Sequence, residues 1–210
     1  MLSFAAKWYG QKKTYFFAEY EVGKSAMVKA AWDLLDEANV LIHFNGDKFD
    51  RRHLNREFHE ERLGPPSPYQ QIDLMKVAKK YFYLPSNKLE YILRWNGFEG
   101  KVQHSGFGLW TAVESGDKKA RALFKKYNIG DVVKLEPLYD ELKPWIENHP
   151  NMQLFVPRGE EPSCPTCGST NYNLDGTAAR GNLSRVQRYK CKDCNRGFSG
   201  RLSVIRAEER

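Results

Sequence analysis

Apolar and polar positions follow two different periods along this chain, and the change of period divides it. Leu2 to Trp8 and Thr14 to Glu21 are short aromatic-rich runs separated by the turn-like Tyr9-Gly-Gln-Lys-Lys13, which predicts a β-hairpin. From Ser25 to Ala38 the apolar residues Met27, Val28, Ala31, Leu34, Leu35 and Ala38 recur at helical spacing, with Ser25 placed to cap the helix. Val40 to Phe44 is a short unbroken apolar run, read as a buried strand. A second helix is expected from Arg51 to Leu63, with Leu54 and Phe58 one turn apart and Pro65, Pro66 and Pro68 ending it. Beyond Ile72 the spacing reads as helical throughout, with Leu74, Val77, Ala78 and Tyr81 on one face, then Leu89, Ile92 and Leu93. Strands first and helices afterwards, around one strand–helix–strand unit, predict a mixed α/β sheet.

Composition narrows the class. With 210 residues and 24.4 kDa the chain has room for one medium domain and a small one. It is 41% hydrophobic and 28% charged, so it can bury a core. Mean hydropathy is −0.66, and no apolar run approaches the roughly 18 residues of a membrane span. Met1 to Ala6 lack the layout of a secretion signal. Membrane, collagen-like and secreted disulfide classes are excluded, and a cytoplasmic location is expected. No Gly-rich Walker loop is present, which argues against ATP-driven chemistry. His43, His53, His59, His104 and His149 form no metal-ligand spacing. The net charge of +7 favours an anionic partner, and from Arg158 onward ten basic residues stand against six acidic ones.

All four cysteines lie in that basic tail, as Cys164-Pro-Thr-Cys167 and Cys191-Lys-Asp-Cys194. Two residues between each pair let a tight turn aim both sulfurs at one ion, and two such turns complete a tetrahedron. Gly168 and Asn195 follow the second cysteine of each pair, and both types tolerate the left-handed backbone these turns use. The 23 residues between the pairs suit a hairpin insert. Disulfides or a redox pair are the other uses of such spacing. Arg185, Arg188 and Lys190 can pair with phosphates. Tyr172, Tyr189 and Phe198 could stack on bases, but the reading is that they mostly pack as the module's own small core while the arginines bind. Cys164 to Gly168 and Gln187 to Cys194 resemble zinc ribbons of the CPxCG…QRYxCxxC type. The resemblance implies a structural Zn²⁺ on Cys164, Cys167, Cys191 and Cys194 in a module spanning 157–206. Four thiolates leave no open position for a substrate.

Chemistry elsewhere concentrates at two points. Asn45-Gly-Asp-Lys-Phe49-Asp50 puts a carboxylate at the carboxyl end of a strand, where open α/β sheets bind ligands. Tyr127-Asn-Ile-Gly-Asp131 puts a phenol and a carboxylate on one helix face. Taken singly, Asp50 reads as a helix cap and Tyr127 as a half-buried aromatic. In order and spacing, NxxxFD followed by YxxxD resembles the second and third motifs of the DEDD 3′–5′ exonucleases, in the version with tyrosine in the third motif. Leu2 to Trp8, His43 to Phe58, Ile72 to Val77 and Ser86 to Leu89 also look like exonucleases of phages and bacteria.

The resemblance covers about residues 1–148 and implies an RNase H-like domain over 1–156. It also implies two Mg²⁺ or Mn²⁺ ions that activate water and stabilise the leaving 3′ oxygen. By that likeness Asp131 and Asp50 are metal ligands and Tyr127 orients the attacking water. Asn45, Phe49 and Asn87 contact or wedge the strand end, although Phe49 fits a core position as well. Asp73 reads as a helix cap. The family's first motif, Asp-x-Glu on a first, central strand, has no counterpart between Met1 and the hairpin. Glu19 and Glu21 would share one strand face, but two strands from that position, about 9–10 Å away. The expectation is that the protein begins upstream of Met1 or that this is a decayed or split copy. The leading function is a 3′–5′ exonuclease on DNA, with single strands or 3′ ends as partner and a polymerase or replication protein nearby, in a bacterial or phage-infected cell. The alternative is a non-catalytic module that binds nucleic acid or a protein partner.

Overall fold

The computed structural model describes residues 1–100, 106–155, 161–181 and 184–206. The chain divides into two compact units, Met1–Glu141 and Leu142–Arg210. The domain boundary expected at 156 and 157 lies outside the described residues, as does His104.

The first unit opens with β1 (Ser3–Lys7) and β2 (Thr14–Ala18), paired antiparallel from Ser3 opposite Ala18 to Lys7 opposite Thr14. A single helical turn, α1 (Glu19–Val22), leads into α2 (Lys24–Glu37). Then follow β3 (Val40–His43), α3 (Asp50–Glu60), β4 (Gln70–Asp73) and α4 (Leu74–Tyr81). α5 (Leu89–Trp95), α6 (Phe107–Glu114) and the long α7 (Lys118–Leu142) complete it. β3 and β4 run parallel, with His43 beside Asp73. The fold is thus mixed α/β, and its sheet comes in two pieces: among the described residues β1 pairs only with β2, and β3 only with β4. No described helix is long and apolar enough to cross a membrane.

Four local expectations change. Glu19 and Glu21 belong to a helical turn, because pairing with β1 runs out at Ser3 and the amide of Gly23 bonds back to the Glu19 carbonyl. Ser25 makes no cap; Gly23, at φ +82°, turns the chain into α2 in a conformation that needs no Cβ. Val40 to Phe44 is half-buried rather than buried, having one strand neighbour. Gln70 to Asp73 is a strand that four residues after three prolines do not announce.

The stripe read from α2 does reach the core. Met27, Val28, Ala31 and Leu35 are buried together with Phe58 of α3. Phe4 and Phe17 of the hairpin, stacked at 5.3 Å, and Leu41 of β3 pack against this cluster, so one helix face holds both sheet pieces. α7 is tied to the hairpin by Lys7 to Glu136, by the Gly10 amide to Glu136 at 3.1 Å and by the Tyr9 hydroxyl to Asp140 at 2.7 Å.

Glu57 is 1% exposed and receives the Met1 amino group at 2.9 Å and Lys24 and Arg56 at 3.0 Å. Burial alone would raise its carboxyl; the three cations outweigh that and bring its pKa from 4.5 to about 2. A depressed carboxylate stabilises the fold above its unfolded pKa and loses that contribution as pH falls toward the folded value, here at most about 3 kcal/mol. Glu57→Gln is expected to lower stability at neutral pH and flatten the acid limb of denaturant unfolding. Identical acid limbs for both proteins would contradict this.

The second unit holds 3₁₀ turns at Lys143–Trp145 and Met152–Leu154, then an antiparallel three-stranded sheet. Its strands are β5 (Tyr172–Arg180), β6 (Ser184–Cys191) and β7 (Gly197–Arg206), in that spatial order.

Candidate nuclease and metal sites

The turn from β3 into α3 carries the first group of candidate residues. Asn45 sits at φ +59°, and Asp50 is the first residue of α3, next to the positive end of the helix. Asp50 does not act as a cap, since the capping position is Phe49 and makes no side-chain bond. Although Asp50 is exposed as a residue, crowding around its carboxyl raises its pKa by desolvation, partly offset by His43 and His53. Phe49 is 64% exposed and lies against the His53 ring at 4.3 Å, so the core alternative for it is overturned.

Gly46 was not singled out by the sequence, yet the site depends on it. Its amide donates to His43 Nδ1 at 3.0 Å, and a Cβ there would lie 3.0 Å from that nitrogen and 3.4 Å from Asp50 Oδ2. A side chain there would press on His43 and Asp50, which would have to give by a few tenths of an ångström. The bond also assigns the tautomer: with Nδ1 accepting, the ring proton is on Nε2.

Asp73, at the end of β4, caps α4 through bonds from the amides of Met75 and Lys76, as its place in the sequence predicts. The same oxygen accepts the Asn45 amide at 2.9 Å, so the end of β4 holds the loop that leaves β3. Donor atoms of His43, Asp47 and Asp73 lie within 4.8 Å of one another. His43 Nε2 and Asp73 Oδ2 are buried there without a hydrogen bond. The cluster already contains a cation, however: Lys76 bonds Asp47, lowering the carboxyl's pKa and raising its own, and stands 4.0 Å from Asp73 Oδ2. Arg51 approaches Asp47 at 3.7 Å. With its proton on Nε2, His43 presents no lone pair to the centre. The group is an ion-paired clasp joining the β3–α3 loop to α4.

Tyr127 and Asp131 are half-buried, one turn apart on α7. Tyr127 meets Trp110 of α6 edge-on at 6.3 Å. On α7 Arg121 lies over the Tyr20 ring of α1, while Lys125 and Glu136 reach Phe16 and Lys7 of the hairpin; at 100° per residue Tyr127 and Asp131 lie roughly a quarter to a half turn around the helix from these. Among the described residues neither Asp50 nor Asp131 belongs to a group of three potential ligands. Asn87, in the α4–α5 connection, has its amide oxygen buried and without a hydrogen-bond partner.

The second unit brings all four cysteines together, unbridged, with Cys164 to Cys194 and Cys167 to Cys191 both 3.6 Å between sulfurs. Ligands 2.3 Å from a tetrahedral ion stand about 3.8 Å apart, so the group could hold such an ion. Gly168 at φ +78° and Asn195 at φ +56° supply the left-handed turns read from the sequence. Burial pushes the Cys167 thiol up to about 11 and Cys194 higher still. Burial acts on Cys191 too, but the Cys194 and Asp193 amides outweigh it and lower that thiol. Tyr172, Tyr189 and Phe198, each half-buried, pack on one another at 4.8 to 6.0 Å, and Phe198 also packs against the buried cysteine cluster. Arg185, Arg188 and Lys190 are exposed on β6. Arg188 reaches Asp175 at 3.1 Å, and Arg185 bonds the Thr177 hydroxyl at 3.0 Å. Arg196 instead donates to the carbonyls of Pro144 and Glu147.

Residues 2–143 match the family model of the RNase H superfamily. No curated protein matches the chain. The family match points to nuclease or other nucleic-acid-related chemistry, for which divalent metal ions are the usual cofactors. With well over half of its length matched, the chain belongs to the RNase H superfamily.

Proposed function

We propose that the first unit is a metal-dependent 3′–5′ exonuclease of the DEDD kind, with tyrosine in its third motif, acting on single-stranded DNA ends. The observation that carries this is the pairing of Tyr127 and Asp131 one turn apart and half-buried on α7, within the matched segment. Asp50 and Asp131 offer the oxygen ligands that hard cations require. Bound Mg²⁺ or Mn²⁺ would supply water activation and stabilisation of the leaving oxygen. Tyr127 orients the attacking water with its hydroxyl. Asn45 and Asn87 contact the strand end, and the exposed Phe49 ring wedges against its terminal base. In the second unit the four cysteines hold a structural Zn²⁺, while Arg185, Arg188 and Lys190 neutralise phosphates.

The test uses the natively expressed protein on 5′-labelled single-stranded DNA with Mg²⁺ or Mn²⁺. Stepwise shortening from the 3′ end is expected, and Asp131→Ala or Asp50→Ala should each slow it about 100-fold or more. Unchanged cleavage by both variants would sink the assignment. A non-catalytic binding module is the second reading, favoured by the separation of Asp50 and Asp131 from any three-ligand group among the described residues. It predicts strand binding that needs no divalent ion, weakens with salt and yields no shortened product.

A further inference from the structure

We infer that the connection between α4 and α5 carries a stacking site for an unpaired nucleic-acid base, with Tyr83 as its platform. Tyr83 is 100% exposed, and its backbone sits at φ +43°. A bulky residue in the left-handed region is a conformational outlier, and such strain persists where the surroundings enforce it. Here it returns no packing within the chain, since the ring touches solvent on every side. The residues around it form a rigid mount. Phe82 packs on Trp95 at 5.0 Å and on Tyr81 at 6.4 Å, fixing the end of α4 against α5. Pro85 follows within two residues and stiffens the exit. The chain therefore holds an aromatic face outside its core in a defined position.

Charge selects the occupant. From Lys76 to Arg94 the sequence carries Lys76, Lys79, Lys80, Lys88 and Arg94 against the single acid Glu90. Lys76 and Arg94 are engaged with Asp47 and Glu90 and Lys80 lies over the Tyr81 ring at 5.2 Å, while Lys79 and Lys88 are exposed around the connection. An aromatic face among exposed lysines suits a strand whose phosphates meet the ammonium groups while a base lies on the ring. An apolar protein surface would gain nothing from those lysines. The inference rests on nucleic acid being this protein's partner, and it adds a contact outside the residues proposed above for cleavage.

The test is fluorescence anisotropy of the full chain with labelled oligodeoxyuridylate and oligouridylate of about 16 nucleotides, and with a blunt duplex, without divalent ions. Tyr83→Ala and Tyr83→Gly are expected to raise the Kd for a single strand about 5- to 100-fold. Tyr83→Trp should stay within about twofold of the parent, because any aromatic face serves. Duplex binding should not change, since paired bases hide their faces. A fully exposed ring has no packing to lose, so the Tm of Tyr83→Gly should stay within about 3 °C of the parent. A loss on either oligonucleotide supports the site, and the oligonucleotide affected identifies the sugar. Unchanged affinity of Tyr83→Ala for both strands, or an equal loss on duplex, overturns it. If the parent binds no strand at all, the nucleic-acid reading fails along with the inference; if the parent binds and Tyr83→Ala binds equally, only the inference fails.

Discussion

Stripping the metal from the four-cysteine centre is expected to collapse β5, β6 and β7 while leaving the fold of Met1–Glu141 in place. Four sulfurs packed within 4.8 Å cannot all ionise without a cation among them, and burial already lifts Cys167 to about 11. Beyond these sulfurs the sheet buries, among the described side chains, Val186 and little more than three mutually packed, half-buried aromatic rings. If the centre holds the proposed Zn²⁺, a module this small would draw most of its stability from it, since binding energies of about 10–16 kcal/mol at neutral pH are typical of structural zinc. Native mass spectrometry should find one Zn²⁺ per chain, absent in Cys191→Ser. Chelation should abolish the near-ultraviolet signal of Tyr172 and Tyr189 and weaken strand binding through Arg185, Arg188 and Lys190. Acid should do the same, because thiolates that bind the ion must give it up to protons. A metal-free protein with intact amide protection in β6 would refute the structural role.

Asp73→Ala is expected to destabilise the first unit by about 2–4 kcal/mol, combining a lost helix cap with a lost bond from a part-buried amide to a charged acceptor. One oxygen of Asp73 serves the amides of Asn45, Met75 and Lys76, so its removal frees both the start of α4 and the loop bearing Asn45, Phe49 and Asp50. Asp73→Asn keeps an acceptor at that position and should cost no more than about 1 kcal/mol. Denaturant unfolding of both variants gives the stabilities, and hydrogen exchange at Asn45 and Met75 shows whether the loop has loosened. An alanine variant within about 0.5 kcal/mol of the parent would contradict the argument. If the exonuclease reading holds, Asp73→Ala should also cut cleavage more than its stability loss explains, by displacing Asp50.

Local pattern carried the reading wherever a short stretch of chain meets its own neighbours. The cysteine pairs were legible because two intervening residues suffice to aim two sulfurs together, and Gly168 and Asn195 stand where the turn needs them. The α2 stripe was legible because helix period alone decides which residues share a face, and Met27, Val28, Ala31 and Leu35 are the ones buried. Tyr127 and Asp131 share a helix face for the same reason. The first local errors came from caps and ends. Ser25 has the chemistry of a cap, but Gly23 has the conformation, and conformation decided. Glu19 and Glu21 alternate as a strand would, but no backbone remains opposite them to pair with.

The sequence by itself determined the mixed α/β class, the separate cysteine module and the residues worth testing, because period, spacing and ligand type act over a few residues. Only the tertiary structure decided what meets across distance. The parallel pairing of β3 with β4 brings Asp73 to Asn45 and Lys76 to Asp47 over nearly thirty positions of sequence, and no local signal encodes such a pairing. Which aromatics are inside was likewise decided there. On sequence alone Phe49 fits a strand-end wedge or a core position equally; its ring, like that of Tyr83, lies in solvent, because burial depends on which elements the fold sets opposite a residue and not on its own side chain.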